Sequence, residues 1–287
     1  MTTGIGYTIN TIRQNKGYSQ DYVSEGSLTQ GAYSKFENLN TGIRINTFKE
    51  LLSKLEISHD EFEFIHNGYE YNVRDQLLNR LFDLSYNNRE NLEQLLAEVT
   101  KYLKVKNDMV IENLSKICEA LLLLSETGKI EQARIPIKEV WESLSKRNHF
   151  YILDLYFINS ILFLFPLETA LEIRQFAFRS IDRYKDFQNI ERIKINVSIN
   201  IMLLLMKEER FKEALYETTH IIDLCKKHRD YLRLAISYVR KGICLNRIDT
   251  SGEIWIMKGK NMLLALEEYK IIEIIEDEIR TYERVAI

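Results

Sequence analysis

The chain contains almost nothing that stops a helix: two prolines and 11 glycines in 287 residues. That is less than half of the roughly 12% that these two residues supply in an average protein, and such a deficit favours long helices and few turns. The breakers are also unevenly placed. Gly4, Gly6, Gly17, Gly26, Gly31 and Gly42 all precede Thr47, so a corner-rich head of short helices is expected before a long helical body. The division is placed at residues 1–67 and 68–287.

In the body, apolar residues recur at spacings of three and four: Leu77, Leu78, Leu81 and Phe82; Leu92, Leu95, Leu96 and Val99; Ile111, Leu114, Ile117, Cys118 and Leu121. This is the pattern of amphipathic helices of roughly 12 to 18 residues. Short polar joints at 85–89, 104–108, 125–129, 207–210 and 246–252 make successive helices antiparallel neighbours. A longer-range pattern begins after Arg147. The segment starting FYILDLYFINSILFLF and the segment starting ERIKINVSINIMLLL can be superposed, with Asn159 and Asn200 at equivalent mid-helix positions and Ala170-Leu171 matching Ala214-Leu215. A third segment from Asp230 repeats the rhythm more loosely. Helical hairpins of this period predict a tetratricopeptide-like solenoid. Residues 75–146 are expected to supply two more hairpins, and 271–285 a closing helix.

Composition excludes several classes. With 45% apolar and 28% charged residues, the chain has both a core and a hydrated surface, unlike a disordered protein. The most apolar stretch, 152–165, is broken by Asp154 and Asn159 and falls short of the ~18 residues that a membrane helix requires. Cys118, Cys225 and Cys244 are an odd number at wide spacing with no signal peptide ahead of them, which points to the reducing cytoplasm and to unpaired core thiols. A net charge of −3 gives no overall attraction to nucleic acid, so any DNA contact must come from a local face.

Such a face is predicted near the N-terminus. Ile5, Ile9 and Ile12 line a first helix. Ser19 caps a second with Tyr22 and Val23 inward, and Thr29 caps a third with Ala32, Tyr33 and Phe36 inward. Asn46 or Thr47 starts a fourth, and Ser58 caps a fifth. Two short helices at a tight corner, the second with a polar outer face, form a helix-turn-helix able to enter the major groove. The groove-facing candidates are Gln30, Gly31, Ser34 and Lys35, with Thr29 at the cap. Gln pairs bidentately with adenine, Lys reaches guanine or phosphate, and Gly admits close backbone approach. Gln20, Arg13 and Lys16 are placed as phosphate contacts. Residues 1–49 carry five cations against three carboxylates, so one site is weak and two copies are needed.

The order IRQNKGYSQ, then TQGAYSKFENL, then FKELLSKLEI, resembles the Rgg/GadR/MutR group of transcriptional regulators, which is related to the PlcR/PrgX peptide-responsive regulators. WESLSKRN, YFINSILFLFPLETALEI, YKDFQNIER and AISYVRKGICL extend the resemblance over almost the whole chain. It implies an all-α protein, a Cro-type helix-turn-helix domain followed by a tetratricopeptide-like repeat domain. It further implies a cytoplasmic homodimer that binds promoter double-stranded DNA and takes a short signalling peptide on the concave face of the repeats. The resemblance gives Asn159 and Asn200 the role of holding the peptide backbone; helical spacing then places Tyr156 beside Asn159, Ile193, Asn196 and Val197 beside Asn200, and Tyr238 on the third segment, as the residues that set selectivity. Lys35, Gly31 and Ala32 depart from the usual recognition-helix pattern, so the operator does not transfer. The small size of Gly31 and Ala32 and the low positive charge leave open a helical-repeat adaptor for a protein partner, and the mixture of aliphatic, Tyr and Asn side chains in the expected site leaves open a regulator sensing a small metabolite or pH.

No enzyme, cofactor or metal site is expected. Cys225 and His228 share a helix face, but no other residues complete a zinc spacing. The Gly4–Gly6 pair follows no strand, and the histidines have no nucleophile beside them.

Overall fold

A computed structural model describes residues 4–83, 89–187, 189–248 and 250–283. Every regular element among them is an α-helix or a short 3-10 turn. Packing divides the chain into two compact units, the first ending at Arg80 and the second beginning at Leu81.

The first unit has five short helices: α1 (Ile5–Asn15), α2 (Gln20–Ser24), α3 (Gln30–Leu39), α4 (Ile45–Lys54) and α5 (His59–His66). Three begin at side-chain caps. Ser19 Oγ accepts from Tyr22 N at 3.1 Å, Thr29 Oγ1 from Ala32 N at 3.3 Å, and Ser58 Oγ from Glu61 N at 3.1 Å. Helix α4 departs from expectation: it begins at Ile45, with Arg44 at the cap and no side-chain bond there. Ile9, Ile12, Val23, Tyr33, Phe36, Leu51, Leu52, Leu55 and Phe62 form the core. Tyr22 and Ala32, expected inward, are exposed, as is much of Ile5. A five-residue helix has room for one inward apolar side chain, and Val23 takes it. The α1/α3 crossing is very close: a Cβ on Gly6 would collide with the Phe36 carbonyl oxygen.

Helix α6 (Val73–Asp83) runs across the division. The second unit continues with α7 (Arg89–Leu103), α8 (Met109–Thr127), α9 (Ile130–Ser145) and α10 (Ile152–Ile161), which passes into a 3-10 turn at Leu162–Leu164. Then follow α11 (Leu167–Ile181), α12 (Ile190–Lys207), α13 (Phe211–His228), α14 (Tyr231–Arg247), α15 (Glu253–Ala265) and α16 (Tyr269–Tyr282). Consecutive members of α7–α9 and α11–α15 pack on one another as hairpins. Gly128, left-handed at the end of α8, and Asp108, whose carboxylate accepts from Val110 N and Ile111 N, mark its two ends. The α14/α15 pair is the tightest. A Cβ on Gly242 or Gly252 would strike the backbone of the other's segment, and one on Gly259 would strike the Ala235 carbonyl.

Candidate nucleic-acid interface and ligand cavity

In the first unit the caps of α2 and α3 set the corner, and the chemistry grows from a buried ion pair behind it. Arg13 on α1 and Glu37 on α3 meet with Nε–Oε1 at 2.7 Å and Nη2–Oε2 at 3.0 Å. The same guanidinium donates to Tyr18 O at 2.7 Å and Asn10 Oδ1 at 3.0 Å. The charge-assisted bond to Glu37 raises the Arg13 pKa further above its ordinary value. Arg13 therefore does not serve as the phosphate contact expected of it. Its donors hold α1, the α1–α2 corner and α3 together, and withdrawing it would strand Glu37, 3% exposed, as an uncompensated buried charge.

Glu37 also accepts from Gln20 Nε2 at 2.8 Å, and Gln20 Oε1 accepts from Gln30 Nε2 at 3.2 Å. A carboxylate only accepts, so Gln20 must turn its NH2 inward and its oxygen outward. That in turn sets which way the Gln30 amide faces. Gln20 is thus tied to α3, in addition to lying at the first turn of α2. Gln30, Gly31 and Lys35 are exposed, and Ser34 is half-buried, accepting from Asn38 Nδ2. Thr29 is spent on its cap. Lys35 makes no hydrogen bond or ion pair among the described residues, and a Cβ on Gly31 would meet no atom within 4 Å. Lys16 lies at the surface, 3.4 Å from Glu56. Lys54, which the sequence did not single out, donates to the carbonyls of Tyr22 (3.0 Å) and Glu25 (2.6 Å) at the C-terminal end of α2.

In the second unit a cavity of about 610 Å³ opens among α8, α10, α12, α14 and α16. Tyr156, Asn159, Asn196 and Asn200 line it. Asn200 Nδ2 donates to the Asn159 carbonyl at 2.8 Å and to Asn159 Oδ1 at 3.2 Å. Asn200 Oδ1 and Asn159 Nδ2 make no hydrogen bond among the described residues. A free acceptor and a free donor side by side match the N–H and C=O of one peptide unit. Asn196 Oδ1 accepts from Arg233 Nε at 2.6 Å, and Arg233 also pairs with Asp230 at 2.8 Å. Tyr156 stacks on Phe82 with centroids 4.2 Å apart.

Ile193, Val197 and Tyr238 do not line this cavity. Ile193 and Val197 are 2% and 0% exposed within the helix packing. The cavity-facing line of α12 runs Asn196, Ile199, Asn200, Leu203 and Lys207, so Val197 is turned toward the neighbouring helices. On α14 the line is Arg233, Ile236 and Arg240. Tyr238 lies half a turn from Ile236 and packs on α15 instead, 5.4 Å from Trp255 and beneath Lys258 Nζ at 4.3 Å. The residues missed were the apolar lines and the cations Lys207, Arg233 and Arg240. The three-and-four spacing from Asn196 to Lys207 was the available signal.

Among the described residues the lining contains these three cations and no carboxylate. Among the described residues no cluster of three His, Cys, Asp or Glu could hold a metal, and no helix is long and apolar enough to cross a membrane. Burial pushes the thiols of Cys225 and Cys244 up to about 12, so neither carries a thiolate at neutral pH.

No protein-family model matches the chain, and no curated protein matches it. Solved structures do. Bacillus thuringiensis PlcR in complex with the peptide PapR7 and DNA is 16% identical, with a TM-score of 0.70 over 94% of this chain and 98% of that one. The Streptococcus dysgalactiae SHP pheromone receptor Rgg2 is 16% identical, with a TM-score of 0.69 over 97% and 100%. ComR from S. thermophilus, in complex with DNA and its signalling peptide ComS, is 15% identical, with a TM-score of 0.60 over 97% and 99%. The shared architecture is a helix-turn-helix unit followed by tetratricopeptide-like helical repeats, matched along nearly the full length of both chains.

Proposed function

We propose that the protein is a DNA-binding transcriptional regulator whose repeat cavity takes a short signalling peptide. It acts by binding and not by catalysis, in the cytoplasm where promoter DNA lies. The observation that carries this reading is the pairing, in one chain, of an outward Gln30/Gly31/Lys35 face with a cavity whose two asparagines keep one donor and one acceptor unspent. The architecture is shared from end to end with PlcR, whose complex contains both a peptide and DNA.

The binding form is a homodimer, because one small reading head has few contacts. Its recognition helices would occupy successive major grooves ~34 Å apart on an inverted repeat. Gln30 and Lys35 read base edges, with Ser34 beside them, while Thr29, Gln20 and the buried Arg13–Glu37 pair hold that helix in place. Lys16 supplies a weak backbone contact. Peptide affinity comes from Asn159 and Asn200 for the backbone, and from Tyr156, Asn196 and the apolar walls for side chains. Occupancy shifts the repeats between arrangements that present the two heads differently, which is how a ligand alters DNA binding.

The test is a gel shift on promoter fragments selected from the source genome by the purified protein. Gln30→Ala combined with Lys35→Ala should weaken binding to the selected fragment at least about tenfold, since a bidentate base contact is worth about 1–3 kcal/mol. Unchanged binding would remove the groove assignment, and failure to select any fragment would remove the regulator reading.

A further inference from the structure

The cavity charges are not balanced in the same way. Arg233 is closed off by Asp230 and Asn196. Arg240, 7% exposed and in the cavity wall, is held in a fork by Glu278 of α16, with Nε–Oε1 at 2.8 Å and Nη2–Oε2 at 3.0 Å. Lys207 lines the same cavity, is exposed, and makes no hydrogen bond or ion pair among the described residues. The bond between Asn196 and Arg233 sets the register of α12 against α14. Arg240 follows two turns after Arg233 on α14 and Lys207 three turns after Asn196 on α12, so both cations lie toward the C-terminal ends of their helices in the wall of the same cavity. Ile274, one turn before Glu278 on α16, closes the wall there.

Resting on the peptide reading above, we infer that the cavity's ligand carries a carboxylate, recognised by Lys207 together with Arg240, and that Glu278 is its built-in competitor. Glu278 satisfies Arg240 while the cavity is empty, because a buried guanidinium without a counter-charge is costly. It bonds to Arg240 and leaves Lys207 open. A ligand carboxylate meets both cations, and the displaced Glu278, already 14% exposed on its side chain, regains hydration at the surface. The exchange replaces one carboxylate with another on Arg240 and adds an ion pair at Lys207. The apolar remainder of the ligand covers Ile199, Leu203, Ile236 and Phe163. An apolar ligand without an acid would have to leave Lys207 unpaired and Glu278 in place.

The test uses the full-length protein and three pooled libraries of N-acetylated apolar heptapeptides. One pool has a free C-terminal carboxylate and an Asn within the sequence. The second is C-amidated with an Asp in place of the Asn, and the third is C-amidated with the Asn. Retention on immobilised protein is read by mass spectrometry. An acidic pool should be retained about tenfold over the neutral pool, the effect of one good charge-assisted contact. Whichever acidic pool is retained identifies a terminal or a side-chain carboxylate as the group bound. Lys207→Gln, at an exposed position that does not endanger folding, should abolish the excess. Glu278→Gln should raise it about tenfold, a gain that loss of a merely structural residue would not produce. Equal retention of acidic and neutral pools overturns the carboxylate assignment and leaves the peptide reading standing. Retention of no pool overturns both. An excess that Glu278→Gln leaves unchanged or lowers, with circular dichroism showing a folded variant, overturns the competitor role.

Discussion

The two units spend their polar groups in opposite ways. In the first, Arg13, Glu37 and Gln20 are bonded to one another and to Gln30, and the chain of bonds ends at the surface of α3. In the second, the concave wall is only partly committed: Asn159 and Asn200 bond to each other and still offer a donor and an acceptor, and Lys207 is unpaired. A closed network fixes a side chain in advance, which suits reading a rigid duplex. A half-open one keeps capacity for a ligand that arrives later. Desolvation explains the difference, since Arg13 and Glu37 are buried and must be satisfied at once, whereas Asn159 and Asn200 are half-buried and Lys207 is exposed, where water can meet an unspent group.

Breaking the closed network should give the largest effect. Glu37→Gln removes the counter-charge of Arg13 and is expected to destabilise the first unit by about 3–5 kcal/mol, the usual cost of stranding a buried charge. Because both tryptophans, Trp141 and Trp255, belong to the second unit, thermal melts followed by Trp fluorescence should stay near wild type while far-UV circular dichroism gains an early transition. A single shared transition would show that the two units do not differ in this way. Next in size is Gly259→Ala, which drives a methyl group into the Ala235 carbonyl. Overpacking of this kind costs about 1–3 kcal/mol, and here the fluorescence melt should fall instead. Asn200→Ala should cost the fold only about 1 kcal/mol for its bonds to Asn159 but weaken retention of the peptide pools several-fold, with promoter binding by the ligand-free protein intact. Unchanged retention would remove Asn200 from the site. Smallest is Gly31→Ala. It has open space around it and ordinary helical geometry, so stability should rise by up to about 1 kcal/mol. If promoter affinity nevertheless falls, Gly31 lies against the bases, and if it rises with stability, the close-approach role is wrong.

The comparison also marks how far the sequence could be read. The caps Ser19, Thr29 and Ser58 were legible because capping is local, one side chain and a backbone N–H three residues on. The alignment of Asn159 with Asn200 was legible as a repeat, and the two do meet, 41 residues apart in the chain. Arg13 was assigned to phosphate because the sequence shows only a cation on a short helix. Its partner is 24 residues away, and Glu37 is unusual only once α3 is known to turn it inward. Val197 and Tyr238 were misplaced for a related reason. Periodicity identifies a face, but the angle at which that face meets the cavity is set by the helices packed behind it.

The sequence by itself determined that this chain is all helix, that a corner-rich head precedes a long repeat body, and where several helices begin. Each of these follows from short-range chemistry: missing breakers, three-and-four spacing, and caps. Only the tertiary structure decided which polar side chains are consumed and which remain available, because that depends on partners far away in sequence and on exclusion of water. It joined Arg13 to Glu37 and Arg240 to Glu278, and it left Lys35 outside one unit and Lys207 in the wall of the other.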